Sequence, residues 1–238
     1  MVLGEPEVQD AVAKLYPKRY SGTGFLYHSR IVTQMLEGIK FRDGRHSDKV
    51  IDIGCGIGFV SQLYPNFDIT GIDISDGMLE RNPHKWLKAP AEAIPFPDNT
   101  FDFVVCRSLL HHLEDPLKGL VEMHRVLKPG GRWVGWEPNL SIFNDWIRRL
   151  AKLTRRFSHW HKNFEPDELL SMLSHAKFTL QEVTYHGYLA YPLAGFPDIV
   201  DFHLPLGVCK LLMRIDEMLT KTPLAPLGWS VMIRATKA

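Results

Sequence analysis

The stretch V-I-D-I-G-C-G-I-G, Val50 to Gly58, starts as an apolar strand and ends as a glycine-rich turn, with a carboxylate, Asp52, just before the turn. In a nucleotide-binding α/β fold the ligand sits beyond the carboxyl ends of the strands, near the switch point beside the first strand. A dinucleotide loop reads G-x-G-x-x-G and offers backbone N–H groups and a helix N-terminus to a pyrophosphate. Here the glycines fall at 54, 56 and 58, and the sixth position counted from Gly54 is Phe59. A negative Asp52 near the pocket would repel a pyrophosphate, whereas a ligand bearing an ammonium and a sulfonium would be attracted.

Outward from this turn the chain alternates. K-V-I-D-I is a strand, and F-V-S-Q-L-Y starts a helix. D-I-T-G-I-D is a second strand, followed by Ser75 as the N-cap of S-D-G-M-L-E. W-L-K-A is a short third strand, and F-D-F-V-V-C has the continuous apolar character of a strand buried on both faces. A helix through L-K-G-L-V-E-M-H-R-V-L is stopped by Pro129-Gly130-Gly131, and R-W-V-G-W-E is the fifth strand. This order predicts a parallel sheet with helices on both faces. Upstream, residues 1–46 read as a helical cap, in which K-R-Y-S-G-T-G marks a mobile connection. Downstream, Ser141 to Phe157 and E-P-D-E-L-L-S-M-L read as helices, and F-T-L-Q-E-V-T-Y and W-S-V-M-I-R-A-T as strands. Between those strands lies an apolar, proline-punctuated insert, roughly Gly187 to Leu227.

Bulk properties narrow the class. The 238 residues are 45% hydrophobic and 23% charged, as in an ordinary globular protein able to bury a sizeable core. A formal net charge of +1 exerts no global pull on nucleic acid. The three cysteines are far apart and show no zinc-ligand spacing, which argues against a structural metal and fits a reducing cytosol. The first residues lack the pattern of a signal peptide, and the longest uncharged stretch, Thr184 to Pro197, is too short to span a bilayer. A cytoplasmic location is expected.

Five motifs in order give the chain a family likeness. D-I-G-C-G-I-G, G-I-D-I-S, A-E-A-I-P-F-P-D-N-T-F-D, L-L-H-H-L-E-D-P and R-V-L-K-P-G-G-R together resemble the class I S-adenosylmethionine-dependent methyltransferases over about Val50 to Asn139. The resemblance implies a Rossmann-like, mostly parallel seven-stranded sheet in a single α/β domain. Residues 47–139 would form the cofactor-binding core, and 140–177 and 187–227 would be helical additions on the substrate side.

It also implies roles. Asp52, Gly54 and Gly56 would surround the amino-acid end of S-adenosylmethionine, and Asp73 would hold the ribose hydroxyls. Ile74 and Met78 would pack on the adenine, with Ala91 and Glu92 along its edge. Many family members carry an acid two positions before Glu92, where this chain has Pro90. Arg107 would close over the methionine portion. A general base, where the acceptor needs one, is sought at Glu137 after the fifth strand or at His111 or His112 after the fourth. Tyr16 and Tyr20 are candidates for a lid.

Two regions bear on the acceptor. Arg148 to Lys162 carries six Lys or Arg residues and no acid, with Trp146, Leu150, Leu153 and Phe157 near one face. Such a helix is either a docked element with a solvated basic face or one that meets an anionic membrane surface or substrate. The insert around Y-L-A-Y-P-L-A-G-F-P is a lid over an apolar pocket, a homodimer interface or added core. The expectation is methyl transfer to a small-molecule acceptor with an apolar body and an anionic group, such as a lipid, glycolipid, quinone or secondary metabolite. An RNA or protein methyltransferase and a catalytically inactive cofactor-binding partner are the alternatives. The N/D-P-P-Y/F motif of many nucleic-acid methyltransferases is absent, so nucleic acid is not favoured.

Overall fold

The computed structural model describes residues 5–37, 48–139, 164–194 and 204–238. Its strands are β1 (Lys49–Ile53), β2 (Asp68–Asp73), β3 (Trp86–Lys88), β4 (Phe101–Arg107), β5 (Leu127–Pro138), β6 (Phe178–His186) and β7 (Ser230–Lys237). They form one sheet in the order β3-β2-β1-β4-β5-β7-β6. The first five strands are mutually parallel. Strand β7 runs antiparallel between β5 and β6. The parallel sheet predicted from the alternation of elements is therefore present, with the seven strands that the resemblance implies. The expected helix at Ser141–Phe157 and the basic stretch Arg148–Lys162 lie outside the described residues, as does part of the insert.

The described helices are α1 (Glu5–Ala13), α2 (Tyr16–Arg19), α3 (Gly22–Leu36), α4 (Phe59–Leu63), α5 (Asp76–Leu79), α6 (Pro116–Val126), α7 (Pro166–His175), α8 (Ala190–Ala194) and α9 (Leu206–Leu219). Alternate residues of each central strand enter opposite cores, because successive side chains leave a strand on opposite faces. Ile51, Ile53, Val104, Cys106 and Trp133 meet Leu120 and Met123 of α6 and Leu169 and Leu173 of α7 on one face. Val50, Phe103, Val105, Val134 and Trp136 meet Ile31, Val32 and Met35 of α3 and Met213 of α9 on the other. That double burial explains the unbroken apolar run of F-D-F-V-V-C.

Short polar contacts start and stop the helices. The Ser75 hydroxyl accepts from the Met78 N–H at 3.1 Å, as its N-cap position predicts. Asp115 caps α6 by accepting from Lys118 N at 3.0 Å, with Pro116 in the first turn where no N–H is needed. At the other end of α6, the Lys237 ammonium donates to the carbonyls of His124 and Leu127 at 2.9 and 2.8 Å. A cation there complements the negative pole of the helix.

Two local expectations are corrected. Gly22 and Gly24 do not sit in a connection; they open α3, and Gly24 is buried. Helix α6 ends at Val126, before Pro129, and β5 already begins at Leu127, with a shift in pairing between Phe101 and Phe103 that absorbs the Pro-Gly-Gly turn.

Candidate active site

The turn after β1 is built from left-handed backbone. Gly54, Gly56 and Gly58 have φ of 74°, 51° and 79°, a region that side chains with a Cβ seldom adopt. At Gly58 a Cβ would also collide with Asn82 Oδ1. The turn folds back on β2, with the N–H groups of Gly54 and Cys55 donating to Ile72 O at 2.8 and 3.0 Å.

Asp73, at the carboxyl end of β2, ties this turn to the next. Its Oδ2 accepts from Gly56 N at 2.8 Å and its Oδ1 from Ser75 N at 2.9 Å. An ionised carboxylate offers about four acceptor positions, so these two bonds leave capacity toward the space beyond. Burial raises the Asp73 pKa above the ordinary carboxylate value, against the pull of those N–H groups. Asp52 is 2% exposed and is pushed up to about 7, first by burial and further by Asp73, with Arg107 opposing.

Two adjoining cavities open beyond the strand ends. Gly54, Asp73, Ile74, Leu109, His112 and Leu113 line both. The larger, about 250 Å³, adds Ile72, Ala89, Pro90, Ala91 and Glu92. The smaller, about 110 Å³, adds Gly56, Met78, Arg107 and a set of aromatic walls from Tyr16, Tyr20, His28, Trp136 and Tyr191. Of the residues picked from sequence, Gly54, Asp73, Ile74 and His112 thus lie where the cavities meet. Ala91 and Glu92 lie on the larger, and Gly56, Met78 and Arg107 on the smaller. Asp52 lies beneath the glycine turn and lines neither.

The N-terminal helices roof this space. Arg107 donates from Nη2 to the Tyr20 hydroxyl at 2.6 Å. The Tyr20 ring stacks on Phe59 with centroids 4.0 Å apart, and the guanidinium lies over both rings at 5.4 and 5.6 Å. Burial works against the Arg107 charge, but Tyr20 and Asp52 outweigh it and hold the pKa above its ordinary value. A second fastening is Asp10 of α1. Its Oδ1 accepts from the Ser75 hydroxyl at 2.5 Å and from Gly77 N at 2.9 Å. Those bonds hold the Asp10 pKa below the usual carboxylate value. No sequence pattern marks Asp10, Trp136 or Tyr191, since an acid on a surface helix and aromatics in apolar runs are commonplace.

The sequence points to Glu137 as a general base beside the acceptor, whereas the structure turns its carboxylate into the protein. Glu137 is 2% exposed and lines neither cavity. Its Oε1 accepts from Leu109 N at 2.8 Å and Leu110 N at 2.9 Å, and its Oε2 lies 2.7 Å from His111 Nδ1. Burial pushes its pKa up to about 7, with the Leu110 and Leu109 N–H groups and His112 opposing. The two neighbouring histidines therefore separate: His111 faces Glu137, and His112 faces the cavities, with ring centroids 4.0 Å apart. Among the described residues no cluster of three or more His, Cys, Asp or Glu is placed to hold a metal ion. No described helix is long and apolar enough to cross a membrane.

Residues 51–135 match the family model of a methyltransferase domain. The chain is 31% identical over 188 residues to a ubiquinone/menaquinone biosynthesis C-methyltransferase UbiE of Geobacter sp. (strain M21), covering 68% of this chain and 76% of that one. It is 32% identical over 119 residues to an uncharacterized methyltransferase of Schizosaccharomyces pombe, covering 42% of this chain but only 41% of that relative's length. Among solved structures, a SAM-dependent methyltransferase of Thermotoga maritima superposes with a TM-score of 0.70 at 21% identity, over 98% of this chain and 100% of that one, a likeness of fold.

Proposed function

The chain belongs to the class I S-adenosylmethionine-dependent methyltransferases, and from that premise we propose that it methylates a small acceptor with an apolar body, of quinone, lipid, glycolipid or secondary-metabolite type. The observation that carries the cofactor half is Asp73, which is fixed by two backbone N–H groups, retains acceptor capacity and faces both cavities. The residues fit the group. Asp52 is buried and Asp73 half-buried, and Asp73 adds to the upward shift of Asp52, so a cationic ligand beside them relieves that strain. Ala91, Glu92 and Ile74 would flank the adenine, Asp73 the ribose, and the glycine turn and Arg107 the amino-acid end. Asp52 would act on the ammonium through its field from below the turn.

When bound, S-adenosylmethionine supplies a methyl group made electrophilic by its sulfonium. The protein's part is alignment, exclusion of water and custody of a proton. His112 faces both cavities and would take the proton of an acceptor hydroxyl or acidic carbon. The aromatic walls of the smaller cavity favour a flat apolar acceptor. The likeness to the Geobacter ubiquinone/menaquinone biosynthesis C-methyltransferase favours a quinone-like ring methylated at carbon.

The test uses methyl-labelled S-adenosylmethionine, the purified protein and an extract of the source cells, with Asp73→Ala as control. Label entering the organic-soluble fraction only with intact Asp73 supports this reading. Label in RNA or protein overturns the acceptor class. Tight cofactor binding without label anywhere favours a cofactor-binding partner that does not turn over.

A further inference from the structure

We propose that Glu137 is a positioning residue, which holds the Ser108–Leu113 turn so that Leu109, His112 and Leu113 form the wall shared by the two cavities. This deepens the cofactor reading above and rests on it. The turn needs an external hold. Ser108 is a non-glycine residue with φ of 53°, a conformation that costs free energy unless its surroundings impose it. Its N–H donates to Trp136 O at 2.7 Å, one residue before Glu137. The next two N–H groups, of Leu109 and Leu110, both point at Glu137 Oε1. Only a side chain with an acceptor at that distance satisfies them, because a buried N–H left unmatched is costly.

The remaining oxygen, Oε2, faces His111 Nδ1. Through the ring contact between His111 and His112, that bond also sets the plane against which His112 rests. Three of the turn's side chains, at 109, 112 and 113, then reach both cavities. Leu109 further packs on the glycine turn, where a Cβ added to Gly54 would lie 2.9 Å from its Cδ1. Glu137 lines neither of these cavities, yet it fixes the side chains that do.

The experiment compares the full chain with Glu137→Gln, Glu137→Ala and His111→Ala. S-adenosylhomocysteine is titrated calorimetrically at a temperature well below each melting midpoint. Without ligand, nitrogen-15 imidazole spectra are recorded at pH 8.5. A glutamine oxygen can keep both backbone bonds, but its amide nitrogen then faces His111 and donates to Nδ1. Glu137→Gln is therefore expected to bind within about threefold of the parent while the His111 proton moves from Nδ1 to Nε2. Glu137→Ala is expected to weaken binding at least tenfold, on the scale of one or two lost hydrogen bonds. If Glu137→Ala does not fold, His111→Ala takes its place, with a loss of about threefold.

A folded Glu137→Ala or His111→Ala that binds like the parent overturns the proposal, as does a His111 proton that stays on Nδ1 in Glu137→Gln. Failure of the parent chain itself to bind S-adenosylhomocysteine would instead strike the cofactor reading. The imidazole spectra would still decide the hydrogen-bond arrangement in that case.

Discussion

Asp73 and Glu137 make an instructive pair. Each is an acid at the carboxyl end of a parallel strand and each accepts two backbone N–H groups, Asp73 one from each of two turns and Glu137 both from one. They differ in what meets the rest of the carboxylate. Beyond Asp73 lie the two cavities, whereas beyond Glu137 lies His111. An acid at a strand end is therefore not yet a ligand-binding group. A single neighbour in the following turn decides whether its remaining lone pairs face a ligand or the protein.

The contrast is broken most directly by Asp73→Ala. If Asp73 holds the ribose as proposed, removing it together with its two N–H contacts should weaken S-adenosylhomocysteine binding by about 100-fold or more in calorimetry. Unchanged affinity would erase the distinction. Next comes the turn that Asp73 holds. Gly58→Ala should lower stability in urea by about 2 kcal/mol, because a left-handed backbone and the Asn82 contact both oppose a Cβ. Ser108→Gly, on the Glu137 side, should instead leave stability equal or slightly raised.

A third test uses protons. Asp52 and Glu137 rise from 3.8 and 4.5 to about 7 on folding. Between those values the folded chain holds protons that the unfolded chain has released, so stability falls as pH climbs toward and through 7. The urea midpoint should therefore drop between pH 5 and 8 in the parent chain, and drop less in the Asp52→Asn, Glu137→Gln double variant. Cofactor binding should run the other way, since a cation favours ionised Asp52. Affinity for S-adenosylmethionine should rise about tenfold from pH 6 to 8 and stay flatter in Asp52→Asn. The smallest effect is expected for Tyr20→Phe. Losing the hydroxyl that Arg107 grips should cost about threefold in affinity, with the ring stack on Phe59 kept.

Much of this architecture was legible from residues alone. Strands β1, β2, β4 and β5 stand out because two-faced burial demands continuous apolar runs, and the turns between them because glycine, serine and proline carry local geometry. Asp73 and the glycine turn stood out for a related reason, since a left-handed turn and the acid that ties it down are written in neighbouring residues. Glu137 was misread because sequence reports that an acid follows β5, not that Leu109 and Leu110 aim their N–H groups at it. Asp10 and Tyr191 were invisible because their importance comes from contacts distant in sequence. Asp10 reaches Ser75 and Gly77 from α1, and Tyr191 reaches Trp136 across the sheet face, with rings 5.5 Å apart.

The place of β7 has a consequence for synthesis. As the chain leaves the ribosome, each of β2 to β5 finds a partner already made, since β2 and β4 flank β1, β3 joins β2 and β5 joins β4. Strand β6 finds none until Ser230–Lys237 arrives between it and β5. That late strand also gives Glu137 its neighbour Val231, and its Lys237 closes the end of α6. The five parallel strands can thus pair during translation, while β6 and the far edge of β5, beside Glu137, wait for Ser230–Lys237. Nascent chains arrested just before Ser230 are expected to retain little S-adenosylhomocysteine binding, and chains extended past Lys237 to gain it in one step.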